Sequence, residues 1–447
     1  MYKGKDRNTE YLFKELFPFG GKLEENNRWL KIKELIPWEE LEEGYSKYFS
    51  TTGRPGLDGR LVIGLLLLKH MSKLSDREVV QGLKENPYWQ AFCGYKHFVT
   101  EELIDSSSLT KARKRLGAKY FRELEKKTYR VLIERRIIRG RGLLVDGTVF
   151  PEKIKYPNDV GLLNDVREWL VREWLVKNIK ETGRKIGEKC RTYRRKAKKA
   201  YLEFTKKQIK SKKAVRKATK QMLQYVRGNL KQAGKVLGKA MIVGEIIGQE
   251  TLKKLKVAEL IYKQQYEMYK NKTHKVQDRI VSFWREYVRP IKRGKSGKEV
   301  EFGPRCALSH VGGYLFLDSM SHDNVLESGT DIVREQLKNF SDKFGRKPAY
   351  LTGDNLYGSR QNRELLVKEG VRGAFKQLGR KKKGLPGPDL WFKKKQKERN
   401  RIEGHFGHSK EHYGLDKIKY HSRDGSEMWI RAGILAMNLK TALAMVK

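Results

Sequence analysis

The sequence predicts an α/β core that is preceded by a helical region and interrupted by a long helical insertion. Short apolar segments alternate with helical patterns between residues 290 and 447, which is typical of a mixed α/β fold. One more apolar strand candidate, residues 143–150, lies far upstream of them. Because residues 162–289 between these parts have helical spacing, we expect them to form an insertion after the first strand.

The chain of 447 residues is long enough for two or three domains with their own cores. Hydrophobic residues make up 38% of it and aromatic residues 10%, which indicates a folded protein. We predict a helical region in residues 1–125, a core domain in residues 126–160 plus 290–447, and an inserted helical domain in residues 161–289.

The net charge is the strongest compositional signal. The chain has 98 Lys and Arg against 53 Asp and Glu, a formal charge of +45. Such a surplus indicates a polyanionic partner, and nucleic acid is favoured because basic surfaces gain affinity by releasing counterions from phosphates. An anionic membrane surface is the weaker alternative.

Neither a membrane span nor a disulfide framework is expected. The longest apolar run, residues 61–68, is far shorter than the roughly 20 residues of a spanning helix, and it is too distant from the N-terminus for a signal peptide. Cys93, Cys190 and Cys306 are odd in number and widely scattered. They match no zinc motif, and their scatter suits a reducing cytoplasm.

The N-terminal region has helical start signals followed by basic helices. Ser75 begins a segment with an acidic first turn, and Asp105 begins a basic helix after several shorter ones. This pattern is typical of a helical DNA-binding region, although a helical bundle with a solvated basic face has the same pattern. The predicted phosphate contacts are Lys111, Arg113, Lys114 and Arg115.

The predicted insertion carries the densest positive charge. Between Lys189 and Ala240 there are 19 Lys or Arg against one acid, Glu203. This density indicates either a long solvated helical hairpin or a DNA clamp, and self-repulsion favours contact with a nucleic-acid backbone. A doublet, VREWLVREWL, occupies residues 166–175 and is too short a repeat to define a solenoid.

Three carboxylates are distinguished by their context. Asp146 lies inside the apolar strand of residues 143–150, where an acid is costly unless it is paired or bound to a cation. Asp354 follows a strand candidate, and Glu403 lies on a later helical segment. Shared carboxylates can hold two divalent cations roughly 3.5 to 4 Å apart, and oxygen ligands suit Mg²⁺ or Mn²⁺.

The helix around Glu403 is basic on the same face. Arg399, Glu403 and Lys410 fall within about 40° of one another at helical spacing, so that two cations flank the acid. These cations could hold a phosphate near a metal, but an ordinary surface helix with spaced ion pairs has the same pattern.

Other residues offer alternative readings. Four further acids are read as turn, cap or loop residues that could assist a metal site: Asp159, Asp165, Asp318 and Asp323. Three histidines share a helical face and could bind zinc, although DNA contact or packing is the commoner use: His405, His408 and His412. Trp391 and Tyr357 could stack on an unpaired base or pack in a core.

Four blocks of sequence, in order, resemble bacterial insertion-sequence transposases of the DDE type, nearest the insertion-sequence-five group. The first is GRPGLDGRLVIGLLLLKHMSKLSDREVVQGLKENPYWQAFCGY (residues 53–95), followed by DSSSLTKARKRLG. The others are LLVDGTVFPEKIKYPNDVGLL, LTGDNLYGSRQN and RNRIEGHFGHSK. The resemblance covers most of the chain.

This resemblance implies a ribonuclease-H-like core in which Asp146, Asp354 and Glu403 hold two Mg²⁺ or Mn²⁺ ions. It implies hydrolysis at the ends of a mobile element and joining of the 3′-hydroxyl ends to target DNA. The family signature around the Glu matches at Arg399, Glu403 and Lys410, but its tyrosine is replaced by Gln396.

The implied partner is double-stranded DNA, both element ends and target, rather than a membrane. A homodimer is expected on DNA ends because two ends must be held together, and the expected location is the nucleoid in the bacterial cytoplasm. A metal-dependent nuclease that does not join DNA, and a nonenzymatic nucleic-acid-binding protein, remain open from the residues alone.

Overall fold

The computed structural model divides the chain into two compact units. Unit 1 contains the chain up to Lys153 and again from Gly303, whereas unit 2 is Ile154–Phe302. The predicted insertion, residues 161–289, therefore lies within unit 2. The structure describes residues 23–53, 55–177, 190–242, 247–295, 298–323, 328–379 and 390–445.

The helices and strands of the described residues are numbered in chain order. The α-helices are α1 (Arg28–Glu34), α2 (Trp38–Ser46), α3 (Gly59–Met71), α4 (Asp76–Glu85), α5 (Pro87–Phe92), α6 (Ser106–Glu134), α7 (Asp159–Trp169), α8 (Arg194–Lys206), α9 (Lys212–Ile242), α10 (Gln249–Lys270), α11 (Thr330–Phe344), α12 (Arg360–Lys368), α13 (Leu390–His412) and α14 (Arg423–Met445). The β-strands are β1 (Gly142–Val149), β2 (Pro290–Lys295), β3 (Lys298–Phe302), β4 (Arg305–Val311), β5 (Tyr314–Ser321), β6 (Tyr350–Thr352) and β7 (Arg372–Gly373).

The N-terminal helices begin at the predicted capping residues. Ser75 and Glu78 form a reciprocal capping box at the start of α4. The side chain of Asp105 accepts a hydrogen bond from the backbone N–H of Ser107 and caps α6. The predicted helices of this region are therefore confirmed.

A five-stranded mixed sheet forms the centre of unit 1, in the order β5-β4-β1-β6-β7. The central strand β1 pairs antiparallel with β4 and parallel with β6. The predicted α/β fold with a mixed sheet is confirmed. Strand β7 is short, because only Arg372 and Gly373 pair with β6.

One hydrophobic core joins the N-terminal helices to the sheet. Helix α14 packs against α3, α6 and β5, and all of its residues from 425 to 439 are buried except Arg431. Arg431 in turn pairs with Glu125 of α6 and with Glu427. The N-terminal helices thus belong to the same compact unit as the sheet.

Unit 2 has its own hydrophobic core, formed mainly by α7, α9 and α10. The prediction that the helical segment extends to residue 289 is wrong, because α10 ends at Lys270. The antiparallel strands β2 and β3 form the end of the unit. Residues 271–289 are turns and irregular chain instead. In the part of the chain that the structure describes, no helix is long and apolar enough to cross a membrane.

The duplicated VREWL segment changes the helix type. Helix α7 continues as a π-helix over Leu170–Leu175, which is the last residue of the first copy and all of the second. Trp169 and Trp174 are five residues apart and would point about 140° apart on an α-helix. A π-turn, with its i to i+5 hydrogen bonds, brings them closer to one face of the helix, and both are buried, at 8% and 0% exposure.

Candidate active site

Asp146 lies in the middle of β1, at the centre of the sheet. Its neighbours Leu144 and Val145 are buried, whereas Asp146 itself is half-buried. One carboxylate oxygen, Oδ1, accepts a hydrogen bond of 2.8 Å from the backbone N–H of Gly147. The strand therefore holds this acid in the sheet with one side still accessible.

Asp354 follows β6, the parallel neighbour of β1. Parallel strands present their carboxyl ends at the same edge of a sheet, so Asp354 emerges on the side where β1 continues past Asp146. Gly353 permits close approach, since a Cβ there would lie 2.9 Å from the carbonyl oxygen of Val145. The Asp354 side chain accepts a 2.6 Å hydrogen bond from Leu356 N and caps a short 3₁₀-helix.

Glu403 lies on α13, which packs against β1 and β6 through buried residues such as Ile402 and Phe406. Its side chain points outward and is 57% exposed. Arg399 Nη2 is 3.3 Å from Glu403 Oε1, one helical turn away. The structure thus contains the ion pair that the surface-helix interpretation of this face predicts. Exposed pairs of this kind contribute about 0.3 to 0.5 kcal/mol to stability.

The pKa of Asp146 connects these residues. Its pKa is raised from 3.8 to about 6, chiefly by burial and to a smaller extent by the carboxylates of Asp354 and Glu403, while Gly147 N–H and Arg399 oppose the increase. The structure therefore brings Asp354, Glu403 and Arg399 close enough to Asp146 to change its protonation. Perturbed acids in such groups are frequent at functional sites.

The donor set suits a hard divalent cation, since it offers carboxylate oxygens only. Within the described ranges, however, no three His, Cys, Asp or Glu side chains are close enough together to hold a metal ion. Asp354 is bound to Leu356 N and Glu403 to Arg399. Coordination by all three acids therefore requires rotation of these side chains.

Two other residues of the α13 signature have different surroundings. The Nζ atom of Lys410 lies 5.7 Å from the centre of the Phe150 ring, just beyond the end of β1. Gln396 donates a 2.7 Å hydrogen bond to the carbonyl oxygen of Ala374. At the position where the family signature has a tyrosine, this side chain therefore anchors α13 to the sheet edge.

Arg113, predicted to contact phosphate, is buried. It makes a bidentate ion pair with Asp76, with distances of 3.0 and 2.7 Å, and its guanidinium lies 4.0 Å from the centre of the Tyr420 ring. This corrects its predicted role, because a guanidinium held on both sides inside the protein has a structural function. The other three predicted contacts are exposed on α6: Lys111, Lys114 and Arg115.

The alternative metal ligands do not assemble. Asp318 is buried and accepts hydrogen bonds from Ser309, Gln336 and Asn339, which is a structural arrangement. Asp159 pairs with Arg279 inside unit 2. Asp165 also lies in unit 2, on α7, and Asp323 is exposed after β5.

The structure also shows where the histidines and aromatic residues considered for zinc or base binding lie. His405, His408 and His412 belong to no metal-binding group among the described residues. Tyr357 is 2% exposed and packs in the core. Trp391 lies beneath the Arg372 guanidinium at 3.7 Å, so both aromatic side chains pack against protein in this structure.

Sequence reasoning missed His310. It faces the same side of the sheet as Asp146, because β4 pairs His310 with Leu144 and Leu308 with Asp146. Its ring is 3% exposed, 4.7 Å from that of His405, and neither ring nitrogen has a hydrogen-bond partner among the described residues. Burial, His405 and Arg401 lower its pKa to about 4. A single histidine in an apolar strand carries no periodic signal that would have indicated this.

Comparison with known families decides the identity of the chain. Residues 17–115 match a family model described as "Transposase domain (DUF772)", and residues 351–440 match one described as "Transposase DDE domain". An uncharacterised protein, ORF8 in the nfe locus of Rhizobium meliloti, is 38% identical over 146 residues, which are 32% of this chain and 70% of that protein. The chain belongs to the DDE transposases of insertion elements.

The candidate site residues of this transposase lie partly inside and partly outside the two matched segments. Asp354, Arg399, Glu403 and Lys410 lie in the second segment, and Asp146 lies in neither. The DDE family implies a ribonuclease-H-like fold, DNA as the partner and divalent metal ions in a DNA-cleaving and transferring enzyme, and the mixed sheet agrees with that fold. No solved structure matches the chain.

Proposed function

We propose that this transposase binds the terminal inverted repeats of its own element, cuts the ends by metal-dependent hydrolysis and joins the 3′-hydroxyl ends to target DNA. The observation that carries the proposal is the group of Asp146, Asp354, Glu403 and Arg399. Three carboxylates with one cation among them suit a site where a phosphodiester meets divalent metal ions.

In this proposal Asp146, Asp354 and Glu403 supply the ligands of two Mg²⁺ or Mn²⁺ ions. Two such ions activate a water or a 3′-hydroxyl and stabilise the leaving oxygen of an in-line displacement. In the free protein Arg399 holds Glu403. When Glu403 turns to the metal site, the Arg399 guanidinium becomes available to orient a phosphate, together with Lys410.

The DNA-binding role of the N-terminal region, residues 1–125, rests on the exposed face of α6. Lys111, Lys114 and Arg115 are exposed, which supports their proposed role as phosphate contacts. Because α6 shares a core with the sheet of the proposed catalytic domain, residues 126–160 plus 290–447, DNA on this face would have a defined position relative to Asp146. Two ends must be joined together, so the working form is proposed to be a homodimer on DNA.

The first test is cleavage of a supercoiled plasmid that carries the element ends, with Mg²⁺ and without it. Wild-type protein should nick or linearise the plasmid only with the metal, and Asp354→Ala should be inactive. The matched control is Asp323→Ala, which removes an exposed acid after β5 and should remain active. Equal activity of wild type and Asp354→Ala would remove the enzyme proposal and leave a nonenzymatic DNA-binding protein.

The second test separates a transposase reaction from simple hydrolysis. Pre-cut element ends with free 3′-hydroxyls are incubated with target plasmid, and joined products are measured. Cleavage in the first test without joining in the second would indicate a nuclease. Binding to the same ends is measured separately, so that a failure to join is distinguished from a failure to bind.

A further inference from the structure

Helix α9 of unit 2 carries a continuous basic stripe. At helical spacing, six of its basic residues fall within an arc of about 80°. The stripe extends roughly 33 Å along the axis at 1.5 Å per residue. Its members are Lys213, Lys217, Lys220, Arg227, Lys231 and Lys235.

The opposite face of α9 is the apolar one. Met222, Val226 and Val236 are buried in the core of unit 2, together with Ala218, Leu223 and Ala233. All six residues of the stripe are exposed. The core therefore fixes the rotation of α9 and directs the whole stripe into solvent.

Repulsion between the positive charges of the stripe is unfavourable when the protein has no anionic partner. Several of its members are four residues apart, such as Lys213 and Lys217 or Arg227 and Lys231, and like charges at this spacing repel each other. The only acid in residues 190–242 is Glu203, which lies on α8. Helix α10 differs, because its lysines alternate with Glu250, Glu259 and Glu267.

We propose that the α9 stripe binds the phosphate backbone of double-stranded DNA without reading its sequence. Its length is close to one turn of B-DNA, about 34 to 36 Å, so the helix can lie along the duplex and meet phosphates of both strands. The choice of DNA as partner rests on the proposed function. This assigns unit 2 to flanking or target DNA rather than to recognition of the ends.

Two features favour duplex DNA over other polyanions. A helix that lies on an anionic membrane inserts its apolar face into the lipid, but the apolar face of α9 is used by the core. A platform for single strands requires exposed aromatic rings between the basic residues, and the stripe contains none.

The test compares two triple variants of the full-length protein. The stripe variant is Lys217→Gln, Lys220→Gln and Lys231→Gln, and the matched control on α10 is Lys256→Gln, Lys263→Gln and Lys270→Gln. Both remove three positive charges from exposed lysines of unit 2, and Gln keeps the helix propensity. Binding to a fluorescent 30-base-pair duplex of arbitrary sequence is measured by anisotropy over a range of salt concentrations, and circular dichroism checks folding.

Each lost phosphate contact should reduce the slope of log K against log salt by about 0.9, so the stripe variant should lose about 2.7. Its affinity at 0.1 M salt should fall on the order of a hundredfold. The α10 variant should change severalfold at most. Equal losses in both variants, or preferential binding of wild type to anionic vesicles over the duplex, would overturn the proposal. Failure of the cleavage test alone leaves this result intact, since binding needs no catalysis.

Discussion

Replacing Gly353 by Ala should disable the site with a moderate loss of stability. The new Cβ would lie 2.9 Å from Val145 O, 3.0 Å from Val145 Cγ2 and 3.1 Å from the Tyr357 ring. Because a backbone oxygen of the central strand cannot easily move, the loop must shift outward and carry Asp354 with it. Overpacking of this kind costs about 1 to 3 kcal/mol. A displacement of about 1 Å at a reacting group reduces the rate roughly a hundredfold.

The assay has two readouts, urea unfolding for stability and Mg²⁺-dependent plasmid cleavage for activity. The stability control is Gly407→Ala, because a Cβ at Gly407 in the interior of α13 meets nothing within 4 Å. That variant should be more stable by about 0.5 to 1 kcal/mol. If Gly353→Ala keeps wild-type cleavage and stability, the close approach of the Asp354 loop to β1 is refuted.

Three further predictions concern charge and packing. Asp146 has a pKa of about 6 in the folded protein against 3.8 in the unfolded chain. The free energy of unfolding should therefore fall by roughly 3 kcal/mol as the pH rises from 4 to 6, and it should stay low above pH 6. The Asp146→Asn variant should lose this pH dependence when unfolding is measured at a series of pH values. Arg113→Ala breaks a buried ion pair and should cost about 3 to 5 kcal/mol, whereas Lys114→Ala should stay within about 0.5 kcal/mol and weaken DNA binding. Trp174→Ala should cost about 3 to 5 kcal/mol in thermal or urea unfolding, because the π-turn buries this ring.

A specific result would contradict each of these three predictions. An unchanged pH profile in Asp146→Asn would place the titration on another group. A stable Arg113→Ala variant with weakened DNA binding would restore the predicted phosphate contact. A neutral Trp174→Ala variant would indicate a regular α-helix with an exposed ring at that position.

Most helices could be predicted because their signals are local. The caps at Ser75 and Asp105 and the apolar spacing of α3 and α14 act within a few residues. Strand β2 was missed because its sequence, PIKRGK, has no apolar alternation and is paired only through β3. The π-turn was missed because it depends on burying both tryptophans in one core.

For the site, sequence context selected Asp146, Asp354 and Glu403, since an acid in or after an apolar strand is unusual. Their grouping depends on the sheet, which places residues more than 200 positions apart on adjacent strands. The roles of Arg113 and Gln396 depended on partners distant in the chain, Asp76 and Ala374, which no local pattern encodes.

By itself, the sequence determined the helices, the basic character and the candidate acids, because capping, periodicity and charge are properties of short segments. Only the tertiary structure decided which charges face solvent. It buried Arg113 against Asp76 and directed the α9 stripe outward. The physical reason is that burial and pairing depend on contacts between distant segments, and these contacts distinguish a structural cation from one that is available to a phosphate.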